Sequence, residues 1–162
     1  MTSTAIKEAT IEVDPRVPTV CITRDFDAPP EKVFRAWIEP DLVKRWLGPK
    51  SVTPDLHVWD ARTGGSYRYS VSREGELIAS FYGSFHEVRP ASRLVQTFTW
   101  EGMPDGVSLE TLTFTDLGDG RTRVVSLSVV DTFEARDAMM ASGMEVGVHE
   151  GYEKLDAILA ES

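Results

Sequence analysis

The chain predicts an α+β domain in which a strongly curved antiparallel sheet of about six to seven strands wraps a long C-terminal helix, with two short helices after the first strand. Three observations carry this expectation. Residues 131–162 hold an amphipathic stripe (Met140, Met144, Val148, Tyr152, Leu155, Leu159) at spacings of three and four. Residues 52–130 alternate apolar and polar side chains between turn dipeptides such as Gly64-Gly65, Glu74-Gly75 and Asp119-Gly120. Between residues 27 and 49, two short helical patterns are punctuated by Pro29, Pro30, Pro40 and Pro49.

Residues 1–17 show weak periodicity and predict a loose arm ahead of a single domain over 18–162. Val20, Ile22 and Phe26 alternate with Cys21, Thr23 and Asp25, the pattern of a first strand. Val33, Phe34, Trp37 and Ile38 form the buried face of the first helix. Leu42, Val43 and Trp46 do so for the second, which ends at Gly48-Pro49. The strand expected over 52–60 contains Pro54, which assigns it to an edge or to irregular pairing. Further strands are expected over 66–73, 77–88, 93–100, 107–115 and 122–130. Asp131, Thr132, Phe133 and Glu134 read as a capping box opening the terminal helix. Gly143, Gly147 and Gly151 run beside its apolar stripe, and each costs roughly 1 kcal/mol relative to alanine. They serve either close helix-to-sheet contact or room for a ligand.

A net charge of −9 argues against a surface that coats nucleic acid or an anionic membrane. Lys44, Arg45 and Lys50 form a local basic patch or a solvated helix face. The one cysteine, Cys21, allows no internal disulfide, and the polar, acidic start of the chain resembles neither a signal peptide nor an anchor. The expected setting is cytoplasmic. There is no asparagine, hence no glycosylation sequon and no Cys-His-Asn triad.

His57, His86, His149 and Cys21 are too scattered for metal-ligand spacing, so neither a metal nor a cofactor is expected. His149 falls away from the helix's apolar stripe, towards the surface. No GxSxG elbow is present, and Gly64-Gly65 is a turn between strands rather than a phosphate loop.

In the sheet, Gln96, Phe98 and Trp100 share a parity, as do Glu110, Leu112 and Phe114, then Val125, Leu127 and Val129, and Tyr67 with Tyr69. The apolar parity is expected to face the helix, which turns Gln96 and Glu110 inward as well. An inward carboxylate is costly unless paired or hydrated. Glu110 therefore marks a wet or functional cavity, or sits near a strand end and reaches solvent or an arginine. The aromatic residues are likewise either core or cavity lining.

Several segments together resemble a known group. Arg24-Asp25-Phe26-Asp27-Ala28-Pro29 with Val33-Phe34-Arg35-Ala36-Trp37 resembles its opening strand and helix, and Trp46-Leu47-Gly48-Pro49 its helix stop. Asp60-Ala61-Arg62-Thr63-Gly64-Gly65-Ser66-Tyr67 is similar to its DxRxGG turn. Gly83, Glu87-Val88-Arg89-Pro90, Arg93-Leu94 and Thr97-Phe98-Thr99-Trp100 follow its central hairpin, and 118–122 and 151–159 its last hairpin and helix end. The group is the START-like SRPBCC superfamily, or helix-grip fold, in the branch of the activator of the ninety-kilodalton heat-shock protein ATPase. Where many members carry a tryptophan early in the terminal helix, this chain has Gly143-Met144-Glu145-Val146-Gly147.

The resemblance implies a deep, largely apolar cavity between helix and sheet. A small hydrophobic or aromatic ligand is then expected against Trp46, Tyr67, Tyr69, Phe81, Gln96, Phe98, Glu110, Phe114, Met140, Met144, Gly147 and Val148. The alternatives are a cyclase- or hydrolase-type enzyme using Glu110 with Tyr67 or Tyr69 as acid and base, or a chaperone-interacting module linked to the stress response. No nucleic-acid or membrane partner is expected, and a homodimer stays open.

Overall fold

The computed structural model of the protein describes residues 5–161. Its strands are β1 (Thr10–Val13), β2 (Thr19–Phe26), β3 (Thr53–Trp59), β4 (Ser66–Arg73), β5 (Glu76–Arg89), β6 (Arg93–Trp100), β7 (Ser108–Gly118) and β8 (Arg121–Val129). The helices α1 (Pro30–Ile38) and α2 (Pro40–Trp46) follow β2, and α3 (Phe133–Ala141) and α4 (Met144–Leu159) follow β8. All eight strands form one sheet in the order β1-β2-β8-β7-β6-β5-β4-β3, antiparallel throughout. Register irregularities at Leu56/Val58, Val71/Ser72, Phe85/Glu87 and Asp116/Gly118 bend the strands, as an extra residue on one side of a ladder does. β3, with Pro54, is an edge strand, where a missing N–H does no harm.

Four expectations need correction. The strand count is eight, because Thr10–Val13 pairs with β2. The arm is therefore not loose throughout, although residues 1–4 of it lie outside the described residues. Ile6 N also donates to Asp25 Oδ2 at 2.8 Å, which ties the arm to β2.

Second, the terminal helix is two helices. α3 ends at Ser142, and Gly143 follows at φ +86°, the left-handed position that favours glycine after a helix. The apolar stripe runs through this break and hides it in the sequence. Third, the cap of α3 is Thr132, whose Oγ1 accepts from Ala135 N at 3.0 Å, one residue later than the expected box.

Fourth, β8 presents the opposite face to the one its apolar parity suggests. Thr122, Val124 and Ser128 are buried, whereas Leu127 and Val129 are 38% and 37% exposed. Register sets this face: Glu110, Leu112 and Phe114 of β7 stand opposite Ser128, Ser126 and Val124. Thr122 is tolerated inside because its Oγ1 donates to Ala28 O at 2.7 Å. Trp100, also expected inward, is 48% exposed at the end of β6, where its ring covers Gly102.

The aromatic rings fall into two sets. Phe26, Phe34, Trp37, Trp46, Phe114 and Tyr152 pack mostly edge to face, closing a core between α1, α2, α4 and the β2-β8-β7 strands. Trp59, Tyr67, Tyr69, Phe81, Phe85 and Phe98 form a second set on β3 to β6.

α4 is held by charge as well as packing. Arg24 pairs with Asp156, Lys50 with Glu153, and Arg45 with Glu161. Lys32 Nζ donates to the carbonyls of Leu159 and Glu161 at the negative end of the helix dipole. In the basic patch of the sequence, Lys44 is thus matched to Asp41 of α2, Arg45 to Glu161 just past α4, and Lys50 to Glu153 of α4. Gly147 and Gly151 face the turn after α2, where an added Cβ would lie 3.5 Å from Pro49 Cδ and 3.0 Å from Trp46 O. Gly151 therefore serves close approach, to the 46–49 turn rather than to the sheet, whereas a side chain at 147 would meet Pro49 at ordinary contact distance.

Candidate functional site

The second aromatic set lies beside a polar row on the inner face of the sheet. Gln96 of β6, Glu110 of β7 and Ser128 of β8 stand abreast in register. Ser128 Oγ donates to Glu110 Oε2 at 3.0 Å. Burial pushes the Glu110 carboxyl above the usual range, and hydrogen bonds from Ser128 and Gln96 pull it back only in part. The row above pairs Phe98 with Ser108, a buried residue whose Oγ has no partner among the described residues. An orphaned hydroxyl of this kind costs about 1–3 kcal/mol, and with almost no accessible surface it is a local cost of the fold rather than a contact open to a ligand.

Tyr67 is placed by a gap in the sheet. The β5–β6 ladder is interrupted between Tyr82↔Thr99 and Phe85↔Gln96, and in that interval Tyr67 Oη donates to Thr97 O at 2.6 Å. Gly83 makes room, since a Cβ there would meet Thr97 O at 2.0 Å and the Tyr67 ring at 2.7 Å. Gln96 Nε2 reaches Tyr67 Oη at 3.5 Å. Burial, then the nearby Glu110 charge, pushes the phenols of Tyr67, Tyr69 and Tyr152 far up, so all three stay protonated.

Among the residues expected at the site, Tyr67, Tyr69, Gln96 and Glu110 come together on the inner face, with Phe81 and Phe98 stacked beside them at 5.1 Å. Met140, Met144 and Val148 are half-buried and pack against the core from α3 and α4. Trp46 and Phe114 belong to the closed core instead, with Trp46 Nε1 donating to Ala36 O at 2.8 Å. Gly147 faces Pro49. Sequence reasoning missed Tyr152, Ser128 and Ser108 as site residues. Tyr152 was legible as an apolar-stripe residue, but nothing local marked its hydroxyl. Ser128 has the opposite parity to the one taken as inward.

Two hollows lie elsewhere. One of about 280 Å³ is lined by Lys7, Arg24, Asp25, Asp27, Asp156, Leu159 and Ala160, and another of about 460 Å³ lies over Val13, Thr19, Cys21 and Leu127. On the face opposite Tyr67 and Tyr69, His57 Nε2, Ser70 Oγ and Ser80 Oγ are linked at 2.8 Å each, with Asp55 4.0 Å from His57 Nδ1. Ser70 is buried between the exposed His57 and the half-buried Ser80, and the row is a cross-strand hydrogen-bond ladder. Among the described residues no three His, Cys, Asp or Glu side chains gather as metal ligands, and no helix is long and apolar enough to cross a membrane.

Glu110→Gln tests the strained carboxyl. At acid pH both folded and unfolded states carry the proton and the residue contributes nothing. As pH rises through the ordinary carboxyl range, the unfolded chain releases its proton first, so wild-type stability falls until the folded group ionises too. The variant is therefore expected to match wild type near pH 4 and to exceed it near pH 8, read as urea midpoints. An equal difference at both pH values would remove the argument.

A sheet of this order, closed over a C-terminal helix with an aromatic inner face, defines a START-like helix-grip domain. A family model described as "Activator of Hsp90 ATPase homolog 1-like protein" matches residues 27–160, and the chain belongs to that family. A protein of Rhodobacter sphaeroides shares 28% identity at TM-score 0.86, over 95% of this chain and 99% of its own. One from Arthrobacter aurescens shares 26% at 0.84, over 94% and 92%. One from Chromobacterium violaceum shares 26% at 0.78, over 90% and 99%. No curated protein matches the chain.

Proposed function

We propose that the protein binds a small hydrophobic or aromatic molecule between α4 and the concave sheet. The observation that carries this reading is the Gln96–Glu110–Ser128 row, which continues the face that carries the aromatic cluster of β3 to β6. A few convergent polar groups on an apolar wall are what a small-molecule site requires. Glu110 also keeps part of its accessible surface although protein crowds around it, the state of a side chain on the wall of a hollow. The half-buried Phe81, Phe98, Met144 and Val148 add adaptable apolar surface.

The acid–base reading has one observation in its favour, that Glu110 lies on the inner face near Tyr67 and Tyr69. Against it, Tyr67 is already committed to Thr97 O, and its phenol is driven away from a useful range. Binding is the better supported role.

The test uses 1-naphthol as probe. At about a hundredfold excess over Kd, Tm is expected to rise by about 5–10 °C. Met144→Trp, which fills space at the start of α4, is expected to lose most of that rise while keeping the wild-type near-UV dichroism. No shift in wild type, or the same shift in both, overturns the placement.

A further inference from the structure

Resting on that reading, we infer that the ligand carries a basic nitrogen: the site takes a hydrophobic primary or secondary amine, with Glu110 as its counter-ion and the aromatic rings around its charge. The first argument is a contrast within the molecule. Asp25, buried on β2, is held by Arg123 at 2.8 and 3.0 Å and by Ile6 N. Asp156 is held by both terminal nitrogens of Arg24. Glu110 has a serine hydroxyl and no cation among the described residues. Buried carboxylates are ordinarily paired, so here the partner is expected to arrive with the ligand.

The surroundings suit a cation. The titratable groups facing Glu110 are Tyr67 and Tyr69 of β4 and Tyr152 of α4, with Arg24 acting on Tyr152 from behind. All three tyrosines are neutral phenols, so none competes for the carboxylate as an ion. Phe98, half-buried on β6, stacks on Phe81 through one face and has no second ring partner among the described residues, which leaves its other face for a positive charge. A primary ammonium donates three hydrogen bonds and accepts none, and the partly accessible Glu110 carboxylate is an acceptor for it. The net charge of −9 draws cations and repels acids.

The experiment compares 1-naphthylmethylamine with 1-naphthalenemethanol by calorimetry on wild type and Glu110→Gln. In wild type near pH 8 the amine is expected to bind about tenfold or more tighter than the alcohol. Its affinity should fall as pH is lowered and Glu110 takes up a proton, while the alcohol's stays level. Glu110→Gln should erase the preference, so that amine and alcohol bind alike, and its wild-type near-UV dichroism reports that the variant is folded. If the alcohol binds as tightly as the amine, or the preference survives in Glu110→Gln, the amine inference is wrong and the hydrophobic-ligand reading stands. If neither compound binds at millimolar concentration, both fall.

Discussion

Gly83→Ala is expected to be the most damaging single-methyl change in the sheet, costing about 3 kcal/mol or more. The added Cβ would stand 2.0 Å from the carbonyl oxygen of Thr97 and 2.7 Å from the ring of Tyr67. One obstacle is backbone, which cannot swing aside as a flexible side chain can. Relief requires β6 to move or the Tyr67 ring to withdraw, and withdrawal breaks its 2.6 Å bond to Thr97 O. Overpacking of this kind costs about 1–3 kcal/mol, occasionally more, and a lost buried hydrogen bond adds about 1. For a chain of this length that corresponds to a fall in Tm of about 6–12 °C. Tyr67→Phe in the same background should recover only part, because the clash with Thr97 remains. A Gly83→Ala variant within 1 kcal/mol of wild type by urea unfolding would show that the β5–β6 gap is looser than described.

Asp156→Ala is expected to cost about 3 kcal/mol, by stranding a buried cation. Arg24 is 7% exposed and held by two 2.6 Å bonds to Asp156. Its remaining contacts are a 3.2 Å bond to Asp25 O and the Phe26 ring at 4.7 Å. Its Nε is buried without a partner among the described residues. Removing one member of a buried pair usually costs about 3–5 kcal/mol, and the low end applies because the Asp156 side chain is 44% exposed and partly screened. The double variant Arg24→Met, Asp156→Leu should return most of the loss. By comparison Lys50→Ala, which breaks an exposed pair with Glu153, should change stability by less than about 1 kcal/mol. A loss at Asp156 no larger than that at Lys50, or one that vanishes in 1 M salt, would contradict the buried-cation argument.

Both changes act where sequence reading is weakest. The turns were legible because Gly64, Gly75 and Gly120 sit at positive φ, a local demand with a local signature. The inward parity of Tyr67, Tyr69, Leu112 and Phe114 was legible for the same reason, since a strand has period two. β8 misled because both of its faces carry valine, and its inner positions are filled by Thr122 and Ser128, whose hydroxyls are satisfied only by Ala28 O and Glu110. The helix break misled because Gly143 occupied a stripe of glycines that invited one explanation. The structure gives them two, a left-handed stop at 143 and a tight contact with Trp46 O at 151, while Gly147 meets Pro49 at ordinary distance.

The candidate site divides along the same line. That Glu110 faces inward followed from alternation within seven residues of one strand. That it has no counter-ion among the described residues depended on where the cations went, and Arg24 spends its charge on an aspartate 132 positions away. The sequence alone determined the order of elements, the turns and the α+β class, because backbone dihedrals and periodicity are encoded by near neighbours. Only the tertiary structure decided which aromatic rings close the core, which line the second cluster, and which carboxyl is left alone among them. Burial and charge pairing are set by residues brought together from distant parts of the chain.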